Sequence, residues 1–175
     1  GLGYGWEHGG GAIKLNVIGT FTNNGSILSN GTSASSGGSI WITTNILSGS
    51  TGSIQAINST PYFGGGSGGR VALYYTTKNY TGTVTAYGGS SSSVAAAGTI
   101  YEKPASQTYG NLTVDNNNLV TTDPCTGLFN SDSPASTLHL NSITAKNKAK
   151  VFVGANVIAD SYVPQTGATI EKWSD

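Results

Sequence analysis

The sequence predicts an all-β fold, a parallel β-helix or β-solenoid of about four coils of 27–31 residues followed by shorter coils. Three observations predict it. A glycine-anchored phrase recurs as Gly11-Ala-Ile-Lys-Leu, Gly38-Ser-Ile-Trp-Ile, Gly69-Arg-Val-Ala-Leu and Gly98-Thr-Ile-Tyr-Glu, at offsets of 27, 31 and 29 residues. A second phrase follows each time, as Gly25-Ser-Ile, Gly52-Ser-Ile, Gly82-Thr-Val and Gly110-Asn-Leu, and drifts in step with the first. Aligned on these anchors, the apolar residues fall into columns. Ile13, Ile40, Val71 and Ile100 form one, Leu15, Ile42 and Leu73 with Glu102 a second, and Ile27, Ile54, Val84 and Leu112 a third.

Periods in this range belong to solenoids, propellers and arrays. A propeller blade takes about 40 residues and four strands, whereas each period here holds two strong strands and one weak one, at Thr20 to Thr22 and Asn45 to Leu47 in the first two coils. If each period is one turn, every column becomes a ladder of like side chains about 4.8 Å apart.

Taken in order, residues 1–11 carry Tyr4, Trp6, Glu7 and His8 among glycines and have no period, which reads as an N-terminal arm or the end of a preceding repeat. Residues 12–115 are the glycine-rich coils, whose alternation puts successive side chains on opposite faces. The glycine and serine runs at 33–38, 64–69 and 88–93 read as coil corners, where glycine supplies φ > 0 without steric cost. Residues 116–136, with Asp123-Pro-Cys125 and Ser133-Pro134, break the alternation and read as a surface excursion. Alternation returns over 137–175 with Leu138, Leu140, Ile143, Val151, Val153, Val157 and Ile170, as shorter β coils.

Charged residues are 9% of the chain and the net charge is zero, so no overall electrostatic footprint for nucleic acid exists. No apolar run approaches the roughly 20 residues of a membrane helix, and no membrane insertion is expected. Without methionine the chain reads as a processed or excerpted part of a longer precursor. Cys125 is alone and is expected to be a buried free thiol. Five glycosylation acceptor patterns occur, at Asn24, Asn30, Asn58, Asn79 and Asn111. With the low charge, they lead to the expectation of an extracellular or cell-surface protein carrying covalent N-glycans.

The phrases Gly10-Gly11-Ala-Ile-Lys-Leu, Gly68-Gly69-Arg-Val-Ala-Leu and Gly82-Thr-Val-Thr-Ala-Tyr-Gly-Gly resemble the glycine-rich right-handed parallel β-helix repeats of large secreted and cell-surface proteins. The resemblance covers residues 9–115, with a looser echo over 137–171. It implies an architecture shared by adhesins, surface fibres and carbohydrate-active enzymes.

Polysaccharide lyases and hydrolases need paired or clustered acids, and residues 1–100 hold only Glu7, Lys14, Arg70 and Lys78 as charges. No catalytic residue, cofactor or metal is therefore expected. Glu102, followed by Lys103-Pro104, is expected to face outward into solvent. Asp115, Asp123 and Asp132 with Asn116 to Asn118 are oxygen donors in a spacing that fits no Ca²⁺ loop, so a plain polar loop is expected. His139, between Leu138 and Leu140, is expected to point outward. Trp41, Arg70, Tyr74 and Tyr101 are the candidate surface contacts, because exposed aromatics bind sugar faces or partner proteins. The pairs of threonines at 20/22 and 83/85 occupy no common column, which argues against a flat ice-binding face. The expected function is structural, a subunit or segment of an extracellular glycosylated filament or adhesin that makes end-to-end contact in a homo-oligomer or filament. The alternative is a carbohydrate-binding or polysaccharide-degrading β-helix module.

Overall fold

A computed structural model describes residues 8–59, 65–90, 95–120, 125–129 and 136–172. The described residues form a β-solenoid of about five turns, with thirteen strands and no helix. In the first half, the glycine-anchored phrase opens the long strands β1 (Ala12–Thr22), β3 (Ser39–Gly49) and β5 (Arg70–Tyr80) and the shorter β7 (Thr99–Pro104). The second phrase supplies β2 (Ser26–Leu28), β4 (Ser53–Gln55) and β6 (Thr83–Thr85), which form their own three-stranded sheet. All neighbouring strands within these two sets are parallel and in register, so Ile13, Ile40, Val71 and Ile100 stand side by side, as do Ile27, Ile54 and Val84. The weak third strands expected at Thr20 to Thr22 and Asn45 to Leu47 are not separate. They continue β1 and β3 past a register shift beyond Val17, near Gly19, whose φ is 113°.

Ile40, Ile42, Leu47, Ile54, Val71 and Leu73 fill the core between the two sheets and are at most 2% exposed. Each such side chain contributes about 1.5–3 kcal/mol through burial. The anchor glycines serve this stacking in a way the corner argument did not foresee. None of Gly38, Gly69 and Gly98 has a positive φ. A Cβ on Gly69 would instead overlap the Gly38 carbonyl, and one on Gly98 the Gly69 carbonyl. Each anchor also donates its N–H to the preceding coil where the second phrase ends, Gly38 to Ser29, Gly69 to Ala56 and Gly98 to Ala86, all at 2.7 Å. Close approach of backbone to backbone, not turn geometry, demands glycine there.

The second half departs from the expected continuation. β8 (Asn111–Asp115), grown from the fourth Gly-x-Leu phrase, does not join the sheet of β2, β4 and β6. It pairs antiparallel with β7 inside a seven-stranded sheet ordered β1-β3-β5-β7-β8 and then β10 (Leu138–Lys146) and β12 (Val157–Pro164). β10 and β12 run parallel to β8. A third sheet holds β9 (Thr126–Leu128), which arises within the expected surface excursion, with β11 (Lys150–Val153) and β13 (Thr169–Lys172).

Antiparallel partners directly opposite each other share a face, and Leu112 lies opposite Tyr101, not Ile100. Ile100 belongs to the first core, while Leu112 belongs to a second core with Val114, Leu140, Ile143, Val151 and Val153. The two cores therefore lie on opposite faces of one sheet. Strand direction and inward face reverse together, so both halves wind with the same hand.

The switch also places Glu102. It stands in the inward column after Leu15, Ile42 and Leu73, and its carboxylate takes the Lys78 ammonium of the neighbouring strand. Lys78 itself follows Phe21 and Leu47 in an inward column further along the strands, beyond that of Val17, Thr44 and Tyr75. This pair closes the end of the first core, because β7 is too short to cover Lys78. Glu102 thus stands on the core side of the sheet and not outward, while its ion pair keeps contact with solvent as expected.

Candidate functional site

The face of β1, β3, β5 and β7 that turns away from the first core carries the candidate contacts. Alternation puts Lys14, Trp41, Ala72 and Tyr101 in one outward column and Asn16, Thr43, Tyr74 and Lys103 in the next. Arg70 stands with Ala12, Ser39 and Thr99, exposed on the same face. Trp41 stacks on Tyr74 with centroids 4.6 Å apart and planes 22° apart, and Tyr74 meets Tyr101 at 5.6 Å and 55°. The Lys14 ammonium lies 5.9 Å from the Trp41 centroid on the first strand. The result is a row across four strands in which the rings spend their faces on one another and offer edges and hydroxyls outward.

Of the four expected surface contacts, Trp41 at 42% exposure and Arg70 are open to solvent, and Tyr74 is half-buried. Tyr101 is different. It packs against the second core, lies over Gly110 where any Cβ would overlap its ring, and engages the Gly110 backbone through its hydroxyl. It is a wedge at the switch and not a free surface group. Burial pushes the Tyr74 and Tyr101 phenols up, with the neighbouring Tyr101 adding to the effect at Tyr74. Both remain protonated donors at neutral pH. Beside Tyr74 a shallow hollow of about 230 Å³ is lined in part by Thr43, Thr76, Lys103 and Ala105.

The acceptor asparagines divide. Asn24 and Asn79 are exposed at the end of the long strands. Asn58 is 3% exposed, and its amide donates to the Ser33 and Ser35 carbonyls. Asn30 holds the Ile57 N–H and Gln55, and Asn111 bonds Gln107, Asn141 and Ser142. Apart from Pro61, which directly follows Asn58-Ser59-Thr60 and weakens that acceptor, nothing in the patterns themselves distinguishes these two groups.

Asp115 accepts the Asn117 N–H and the Asn147 amide and pairs with Lys146 at 3.2 Å. It is a corner clamp that already faces a cation. Asp123 and Asp132 lie outside the described residues, as do Tyr4, Trp6 and Glu7. Among the described residues no group of three His, Cys, Asp or Glu could hold a metal ion. His139 faces outward as expected, but in company the sequence does not disclose: its Nε2 meets Asp160 Oδ1 at 2.6 Å, and its ring stacks on Tyr109 at 3.8 Å. Cys125 is exposed and free, not buried, and stands one residue before the edge strand β9.

These observations define a glycine-anchored β-solenoid with two cores on one continuous sheet and a basic, aromatic outward face on its first half. A scan of protein-family models and searches of curated proteins and solved structures find no match to this chain.

Proposed function

We propose that the chain is a structural segment of an extracellular, N-glycosylated surface filament or adhesin of the glycine-rich β-helix type, acting through end-to-end contact between copies and without catalysis. The observation that carries this reading is the contrast between first and second coils. Ile40, Ile42, Leu47 and Ile54 are at most 2% exposed, whereas their register partners Ile13, Leu15, Phe21 and Ile27 are only partly covered, and Ile18 is fully exposed. Among the described residues no strand pairs with the outer edge of β1 or of β12. Such edges are templates for another chain. The low charge, together with Asn24 and Asn79 exposed, supports the extracellular, glycosylated part of the reading. The non-catalytic part is supported by Glu102 and Asp115, each committed to a lysine.

The test is sizing and negative-stain microscopy of the purified chain beside Ile13→Asp/Ile18→Asp, which charges the β1 edge. Concentration-dependent assemblies that the double variant loses are expected. A wild-type chain that stays monomeric at all concentrations overturns self-assembly. Expression in a glycosylating host followed by peptide mass spectrometry checks the modification: glycan on Asn24 and Asn79, and bare Asn58 and Asn111, in the folded fraction.

A further inference from the structure

We propose that the outward face of β1, β3, β5 and β7 binds an acidic polysaccharide, with Lys14, Arg70 and Lys103 taking its carboxylates or sulfates and the edges and hydroxyls of the Trp41–Tyr74 row lying against its sugar rings. This goes beyond the filament reading and does not rest on it, since a single copy carries the whole face.

Charge complementarity selects the ligand. The three strand-long outward columns of these four strands contain three cations and no acid. Of the other five cations, Lys78 is neutralised by Glu102 and Lys146 by Asp115, while Lys148, Lys150 and Lys172 stand on the second half, away from this face. Among the described residues Lys14, Arg70 and Lys103 pair with no carboxylate, although the chain as a whole has equal numbers of acids and bases. Uncompensated cations on a rigid sheet leave a local positive potential that an anionic ligand satisfies.

The spacing selects among anions. Neighbouring strands are about 4.8 Å apart, so the cations of the first, third and fourth strands spread along the solenoid axis instead of converging on one point. That suits an extended polymer with a charge per sugar or per few sugars. It does not suit a compact phosphate, and three cations fall short of the dense phosphate neutralisation on which nucleic-acid binding depends. The Trp41–Tyr74 row adds apolar edge and the Tyr74 phenol, and the hollow beside Tyr74 brings Thr43, Thr76 and Lys103 to the rim where a sugar unit can sit. A few hydroxyls placed beside an apolar, aromatic lining fix a ligand's orientation.

The experiment titrates the wild-type chain with polygalacturonate, a sulfated dextran, unmodified dextran and single-stranded DNA by calorimetry, at low and at physiological salt. Binding to an acidic polysaccharide, weakening as salt rises, with little heat from neutral dextran, is expected. Arg70→Ala and Lys103→Ala should each weaken it by up to about fivefold, the upper end of what one exposed charge pair contributes, and Trp41→Ala by a similar factor. Arg70→Lys should retain most of the affinity. Circular dichroism melts matched to wild type show that the variants fold. Equal binding of neutral dextran, tighter binding of DNA, no binding at all, or full affinity in the folded Arg70→Ala/Lys103→Ala double variant each overturns the proposal. Filament formation or its absence bears on none of these outcomes.

Discussion

The two halves of the sheet solve one problem with different materials. On the first half, coil follows coil through glycines that lie under the next backbone, and the corners are closed by main-chain bonds from Gly38, Gly69 and Gly98. On the second half, corners turn on residues in the left-handed region, the side-chain-bearing Asn117 and Asn118 at φ 49° and 61° and Asn147 and Lys148 at 52° and 64°, then Gly167 at 80°. There Asp115 ties Asn117, Asn147 and Lys146 together. At the anchors Gly38, Gly69 and Gly98 glycine is thus a packing requirement, although Gly19 and Gly49 in the same half take positive φ of 113° and 122°, whereas the corners of the second half need glycine only at Gly167. The change of method coincides with the change of inward face at β7 and β8.

The largest effects should come from the cores, and they test whether the halves are energetically separate. Leu73→Ala in the first core and Ile143→Ala in the second, both fully buried, should each cost about 3 kcal/mol. Because the cores lie on opposite faces and share no buried member, the double variant should add to within about 0.5 kcal/mol in urea unfolding. A large coupling would mean that the sheet transmits strain from one face to the other.

Next come the anchors. Gly98→Ala forces a methyl into the Gly69 backbone and should cost about 2–3 kcal/mol. At Gly11, the same phrase in the first coil, an added Cβ meets nothing within 4 Å, so Gly11→Ala should change stability by less than about 0.5 kcal/mol. Thermal melts of the two variants read the contrast directly.

Alkaline pH should separate the halves more gently. Burial raises the phenols of Tyr74, Tyr75 and Tyr80 on β5 and of Tyr101 on β7 above their ordinary value of 10.0, helped at Tyr74 by Tyr101 and at Tyr75 by Glu102. A folded-state value raised above the unfolded one means that the folded chain holds the proton more tightly. This stability is complete below pH 10 and is lost as pH climbs through the raised values. Loss of the folded-state circular dichroism signal in a pH titration checks it. Tyr101→Phe, which removes the hydroxyl engaged with Gly110, should cost about 1 kcal/mol and should leave a smaller alkaline loss.

The columns of the first half were legible because parallel, in-register strands repeat the same residue class at one offset, and a ladder needs nothing else to be recognised. The outward position of Trp41, Arg70 and Tyr74 followed from the same alternation. The switch was not legible. Gly110-Asn111-Leu112 matches the second phrase residue for residue, but sequence alternation carries no sign of chain direction, and only pairing across β7 shows that Leu112 joins the Tyr101 face. Glu102 in an apolar column was the one visible signal that the first core ends there. The Lys103-Pro104 that follows it points to a strand end and an outward turn, and the partner that holds it on the core side, Lys78, comes 24 residues earlier. Asn58 looked like Asn79 because an acceptor pattern records three residues and not the carbonyls of Ser33 and Ser35 that occupy the amide.

The smallest effect runs opposite to the glycine anchors. Lys148 is exposed with φ 64°, and the strand register that pairs Lys150 with Thr169 makes Gly167 its counterpart in the next coil. A non-glycine residue in this region costs roughly 1 kcal/mol or more, and glycine relieves the strain while adding unfolded-state entropy. Lys148→Gly should therefore be neutral to about 1 kcal/mol stabilising, where every new side chain at Gly69 or Gly98 destabilises. Equilibrium unfolding in urea measures it. A loss of more than about 1 kcal/mol would show that the Lys148 stem, which lies 3.7 Å from a Cβ built on Gly167, holds adjacent corners together by packing. Glycine would then be a packing device in neither corner of the second half, and the two halves would differ in kind.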